Sequence, residues 1–101
     1  MNVQPFSPDF TNTQTLAATA TSANAALNAV DGNMNVLRVA NAGPNTVFIR
    51  WGATAQTAVT TDMPILAGTV EVFSKGAATN VAAICAAGQT ATLYLTCGEG
   101  Q

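Results

Sequence analysis

Two cysteines, five carboxylates, three cations and no histidine make up the reactive inventory of this chain. The missing histidine removes the commonest general base, proton shuttle and metal ligand together. Of the carboxylates, Asp9, Asp31, Asp62 and Glu99 fall in the arm, turns or tail, and only Glu71 lies within an expected strand. A hydrolytic pair needs two carboxylates held rigidly across the scissile bond, and this spacing supplies none. Glu71 is expected to pair with Arg38 or Arg50 on an exposed sheet face, contributing about 0–1 kcal/mol. Cys85 and Cys97 flank Gly88, the expected centre of a final hairpin. That register sets Cys85 beside Ala91 and Cys97 beside Thr79, about 20 Å apart and beyond disulfide reach. Both are expected to be buried thiols of a reducing compartment, and two cysteines without histidine make no zinc site. Gly98-Glu99-Gly100 opens no helix, so it lacks the context of a phosphate loop. Trp51, beside Gly52 at a strand end, could stack on a sugar or base, but burial statistics favour the core. The reading is of a non-enzyme with no catalytic residue, no cofactor and no metal.

The elements that hold these residues are charge-poor. Charged residues are 8% of the chain, against about 25% in an average soluble protein. Hydrophobic residues reach 49%, but Ala, Val and Leu dominate them, so the core should be light. Faces of Thr, Ala and Asn lack the interspersed charge that keeps a free monomer apart, which points to burial between subunits in a homo-oligomer. A secreted β-domain would share this composition. With net charge −2 and only Arg38, Arg50 and Lys75 as cations, no patch exists to neutralise phosphates, so no nucleic acid partner is expected. No apolar run approaches the roughly 18 residues of a membrane span, and Met1–Phe6 has neither part of a signal peptide. The expectation is a protein that meets no membrane and stays where it is made.

Residues 1–15, with Pro5, Pro8, Phe6 and Phe10, read as an extended N-terminal arm, and 16–101 as a single β-sandwich domain. The Ala-rich stretch 15–30 carries Thr19, Thr21, Ser22, Asn24 and Asn28, which disfavour a helix. Short strands are expected near 13–20 and 25–30, with a turn at Asp31-Gly32-Asn33. Val36–Gly52 reads as a hairpin turning at Gly43, Val39 facing Val47 and Leu37 facing Ile49. Ala53–Thr61 reads as a loop with a helical turn. A strand at 69–74 puts Val70 and Val72 on one face, Glu71 and Phe73 on the other. The hairpin 80–97 turns at Gly88 and lines up Val81, Ala83, Cys85, Ala91, Leu93 and Leu95. The two tips share Ala-Gly, 45 residues apart, a hint of an internal repeat. Seven to eight short strands separated by turns predict an all-β fold, a small antiparallel β-sandwich or barrel.

Val36–Gly52, Thr61-Asp62-Met63-Pro64-Ile65, the Val70–Phe73 strand and Ala91–Tyr94 through Gly98-Glu99-Gly100 together resemble small virion proteins of tailed bacteriophages, similar to head decoration (cement) proteins. The resemblance covers about two thirds of the chain, and the Ala-rich stretch 16–30 departs from it. It implies an all-β subunit, trimers favoured, bound to the major capsid protein or other virion subunits, in the virion after assembly in the host cytoplasm. Phe6, Phe10, Phe48, Phe73 and Tyr94, large groups on the arm and on the second strand faces, are the candidate contact residues. A tail, neck or head-fibre component, or a receptor- or carbohydrate-binding β-module using Trp51 and Tyr94, are the alternatives.

Overall fold

The computed structural model describes residues 7–8, 10–11, 13–27 and 35–99. They form nine strands and no helix: β1 (Ser7–Pro8), β2 (Gln14–Ala18), β3 (Ala23–Ala26), β4 (Val36–Pro44), β5 (Val47–Gly52), β6 (Met63–Ile65), β7 (Val70–Ser74), β8 (Asn80–Ile84) and β9 (Ala91–Glu99). All pairings are antiparallel. One sheet, of five strands, runs β2-β9-β4-β7, with β1 also on β9; the other, of four, runs β3-β8-β5-β6. The all-β sandwich expected from strand spacing is what forms, with the two-residue β1 as an addition to eight longer strands. The residues at 28–34, including the Asp31-Gly32-Asn33 turn, lie outside the described residues, as does Phe6. The domain boundary expected at residue 16 falls inside β2, and β1 ties part of the arm to the end of β9.

Both expected hairpins are replaced by arches. β4 pairs with β7 and β9 while β5 lies in the other sheet against β6 and β8. Likewise β8 and β9 belong to different sheets. Val39 therefore pairs with Leu95 and Glu71 rather than Val47, and Ala91 with Ala18 and Pro44 rather than Cys85. A short turn between two alternating apolar runs fits either a hairpin, which keeps both strands in one sheet, or an arch, which sends the second strand to the facing sheet. In either case the apolar faces meet. Leu37, Val39, Val47, Ile49, Val81, Ala83, Cys85, Leu93 and Leu95 are all in the core, as alternation requires, joined by Leu16, Ala18 and Ile65. Gly43 and Gly88, at the two arch tips, have φ of +87° and +76°, the left-handed region where a Cβ is disfavoured.

Asn41 locks the first arch. It is 2% exposed, and its Nδ2 donates to the carbonyls of Asn45 and Ile65, both at 2.9 Å, while the Gly43 amide donates to its Oδ1 at 2.8 Å. The Ile65 bond crosses from one sheet to the other. A buried amide is tolerated because each of its hydrogen-bonding groups meets a backbone partner.

Candidate functional site

The outer faces of the two sheets differ, and the difference defines the site. On the four-stranded sheet, alternation turns Phe48, Arg50, Ala82 and Ile84 away from the core. The segment 53–62 crosses this face as an irregular strap that ends in a single turn, closed by the Asp62 amide donating to the Val59 carbonyl at 3.0 Å. The Gln56 amide donates to Asn24 Oδ1 at 2.9 Å and the Ala58 amide to Ser22 Oγ at 2.8 Å. Thr79 Oγ1 donates to the Ala53 carbonyl at 3.1 Å. At its far end the Val59 amide donates to Asp62 Oδ2 at 2.9 Å, and Arg50 Nη2 reaches Asp62 Oδ1 at the same distance. The Arg50 guanidinium, then the Val59 amide, hold the Asp62 carboxyl below its ordinary value. Under the strap Ala58 and Ala82 are buried, Ala82 completely.

Among the described residues no segment crosses the outer face of the five-stranded sheet in this way. Its outward positions are Thr15 and Ala17 on β2, Thr92, Tyr94 and Thr96 on β9, Arg38 and Ala40 on β4, and Val70 and Val72 on β7. Strand register aligns Thr15, Tyr94, Ala40 and Val70 in one row across four strands, with Thr96, Arg38 and Val72 in the next. Tyr94 is 43% exposed and Val70 48%. Thr96 is buried within the face, its hydroxyl hydrogen-bonded to that of Thr13 at 2.8 Å. Arg38, half-buried, is the single formally charged residue among these outward positions. The other two cations are occupied elsewhere: Arg50 is paired with Asp62, and Lys75 is buried with its ammonium donating to the carbonyls of Gly76 and Ala78 at 3.2 and 3.0 Å.

Four of the five sequence-derived contact residues, Phe10, Phe48, Phe73 and Tyr94, fall among the described residues, and they do not converge. Tyr94 stands on the bare face. Phe48 is half-buried on the opposite, strapped sheet, between Pro64 and Ile84. Phe10 is 79% exposed in the turn after β1. Phe73 points the other way from Tyr94: it shares the inward face with Leu37 and packs on Trp51, ring centroids 5.0 Å apart. That contact, between the two sheets, also places Trp51 against the core rather than out as a stacking platform. Glu71 shares this inward side at the edge strand and is exposed there, and the carboxylate on Arg50 is Asp62 rather than Glu71. An inward-pointing charge on an edge strand discourages addition of a further strand.

The residues missed by the sequence reading are Val70 and, beside β6, Met63 and Leu66, all substantially exposed. The alternation of β7 was legible, but which of its two faces looks inward is set by the facing sheet. Cys85 and Cys97 are buried and form no disulfide. Cys85 lies beside the Ala18 carbonyl at the start of β9 and Cys97 six residues along that strand, about 20 Å away. Burial pushes the Cys85 thiol up. Among the described residues no three of His, Cys, Asp or Glu gather into a cluster that could hold a metal ion, and no helix is long and apolar enough to cross a membrane.

Among the described residues, fold and site define an antiparallel β-sandwich with one outer face crossed by its own chain and the other not crossed. No protein-family model matches the chain, no curated protein matches it, and no solved structure matches it.

Proposed function

We propose that the chain is a structural virion protein, a decoration or cement subunit that stabilises a phage head through contacts with the major capsid protein, other virion subunits and further copies of itself. The carrying observation is the outer face of the five-stranded sheet, where Tyr94, Val70, Ala40 and a set of threonines surround one charge, Arg38. A face with a single charge suits extended contact with another protein, whose area rather than a single strong bond supplies affinity. A standard interface buries about 800 Å² per partner, more than a face of four short strands offers, so many copies acting together suit it best. The low overall charge and the resemblance to tailed-phage decoration proteins support the same reading, in which the chain works in the virion after assembly in the host cytoplasm. A carbohydrate-binding role has less support, since a sugar site calls for clustered aromatics with convergent polar groups and Tyr94 is the one aromatic on this face among the described residues.

The test is cosedimentation of the purified chain with capsid shells assembled from the accompanying head genes. Tyr94→Lys with Val70→Lys, both at exposed positions, should leave folding intact and reduce bound protein at least tenfold. Equal binding by the double variant, or no binding by the unaltered chain, would overturn the proposal.

A further inference from the structure

The two sheets are the same arrangement used twice. Replacing each strand by the one four places along, β2 by β6, β3 by β7, β4 by β8 and β5 by β9, and the reverse, converts the order β2-β9-β4-β7 into β6-β5-β8-β3, which is the other sheet. The registers obey the same exchange. Leu16 opposite Leu93 becomes Ile65 opposite Val47; Val39 opposite Leu95 becomes Ala83 opposite Ile49; Leu37 opposite Phe73 becomes Val81 opposite Ala25. All twelve of these residues belong to the core or pack against it. Residues 14–52 and 63–99 are thus related by a half turn about an axis parallel to the strands. The shared Ala-Gly at the tips of the β4–β5 and β8–β9 arches, each with a left-handed glycine, is the trace of this repeat in the sequence.

Among the described residues neither half contains a sheet. Each strand pairing, from β1–β9 to β5–β8, joins a strand before residue 53 to one after residue 62. The loop bonds that extend these ladders cross in the same way: Leu27 amide to Thr79 carbonyl, Asn41 amide to Thr69 carbonyl, Cys85 amide to Thr19 carbonyl, Thr79 amide to Gly52 carbonyl. The backbone hydrogen bonding of each half is therefore satisfied by the other, as between the subunits of an intertwined dimer, and the covalent link between them is the strap 53–62.

We propose that residues 14–52 and 63–99 behave as two interlocked subunits whose mutual surface is a self-association interface, open to the matching half of a second copy of this chain. The partner is a second copy because the surface demands matched registers in both sheets at once, and the complementary half carries them. Exchange of halves between neighbouring copies joins chains without any new contact chemistry. This inference stands independently of the virion reading, since it concerns how the chain meets itself.

Two measurements on the full-length protein test it. A protease site placed at the exposed Thr54–Ala55 bond allows the folded protein to be nicked; the fragments should remain together, show no sheet signal when separated, and after denaturation recover the native circular dichroism at a rate that doubles when both fragment concentrations are doubled. Deleting Ala53–Thr61 leaves one residue between Gly52 and Met63. Register places these ends about 11 Å apart, beyond the ~7.6 Å that two Cα steps span, so the shortened chain should exchange halves and double its mass by light scattering. A nicked protein whose fragments fold alone, or fail to reassemble, overturns the proposal, and so does a folded monomeric deletion variant. Should the deletion variant not fold, the nicked protein decides.

Discussion

Asn41→Ala tests whether the arch joining the two sheets is held by one side chain. The substitution removes two donated bonds and one accepted bond. The bond to Ile65 is fully buried, and its orphaned carbonyl should cost about 1–3 kcal/mol; those to Asn45 and Gly43 are partly buried, water can replace Asn41, and each should cost about 0.5–1.5 kcal/mol. The sum is roughly 2–6 kcal/mol, and with about 4–8 °C per kcal/mol for a domain of this size the midpoint should fall by at least about 8 °C in a thermal melt followed by circular dichroism. Asn41→Asp separates the chemistry from the shape. It keeps the acceptor for Gly43 but turns carboxylate oxygens onto two carbonyls, so its pKa in the folded state must rise above the unfolded value of about 3.9. Between those two values the folded state binds more protons than the unfolded, so stability falls as pH rises through that window. The Asp variant should approach the parent below about pH 4 and diverge from it toward pH 7. A loss under 1 kcal/mol for Asn41→Ala, or an Asp variant with the parent's pH profile, refutes the role assigned to this residue.

The other predictions concern the second arch and the strap. Gly88→Ala places a Cβ in open space, so its cost should be conformational alone, about 1–2 kcal/mol, read as a shift in urea midpoint without change of slope. The folded Asp62 carboxyl titrates below the unfolded value, so its contribution is present above about pH 4 and lost as pH falls through the folded pKa. The protection factor of the Val59 amide should fall in that acid range, and Asp62→Asn should lower it likewise at pH 7 while protection in β4 and β9 is unchanged.

How much of this was legible in the sequence depends on the kind of information each feature carries. Face assignment is local, because side chains alternate along a strand whatever lies beside it. Leu37, Val39, Val47 and Ile49 were therefore placed together on the inward side before their pairing was known, and so were Val81, Ala83, Leu93 and Leu95. Pairing is not local: Ala42-Gly43-Pro44 permits a return in the same sheet or a step to the next, and the choice depends on β7, β8 and β9, distant in sequence. The same ignorance hid the orientation of β7, leaving Phe73 as a contact candidate and Val70 unnoticed. The bare and covered faces were not legible at all, since the strap's anchors, Ser22 and Asn24, precede it by more than thirty residues.

The arch architecture also explains why so light a core suffices. In a stack of arches each turn sends its two strands to different sheets, so the inward residues either side of the turn share one core, as Val39 and Val47 do in the buried cluster. Alanines such as Ala18, Ala83 and Ala91 then bring the sheets close without leaving voids, and loss of voids matters more than side-chain bulk in a packed interior. The consequence runs to kinetics. Apart from the neighbouring pair β5–β6, the pairings of this sandwich wait on closure of long stretches of chain, so folding should be slow, in the millisecond-to-second range of non-local β-proteins. During that interval unpaired halves of different copies compete for the same registers. At high local concentration, such as on an assembling shell, a chain built this way meets its own kind before it has finished closing on itself.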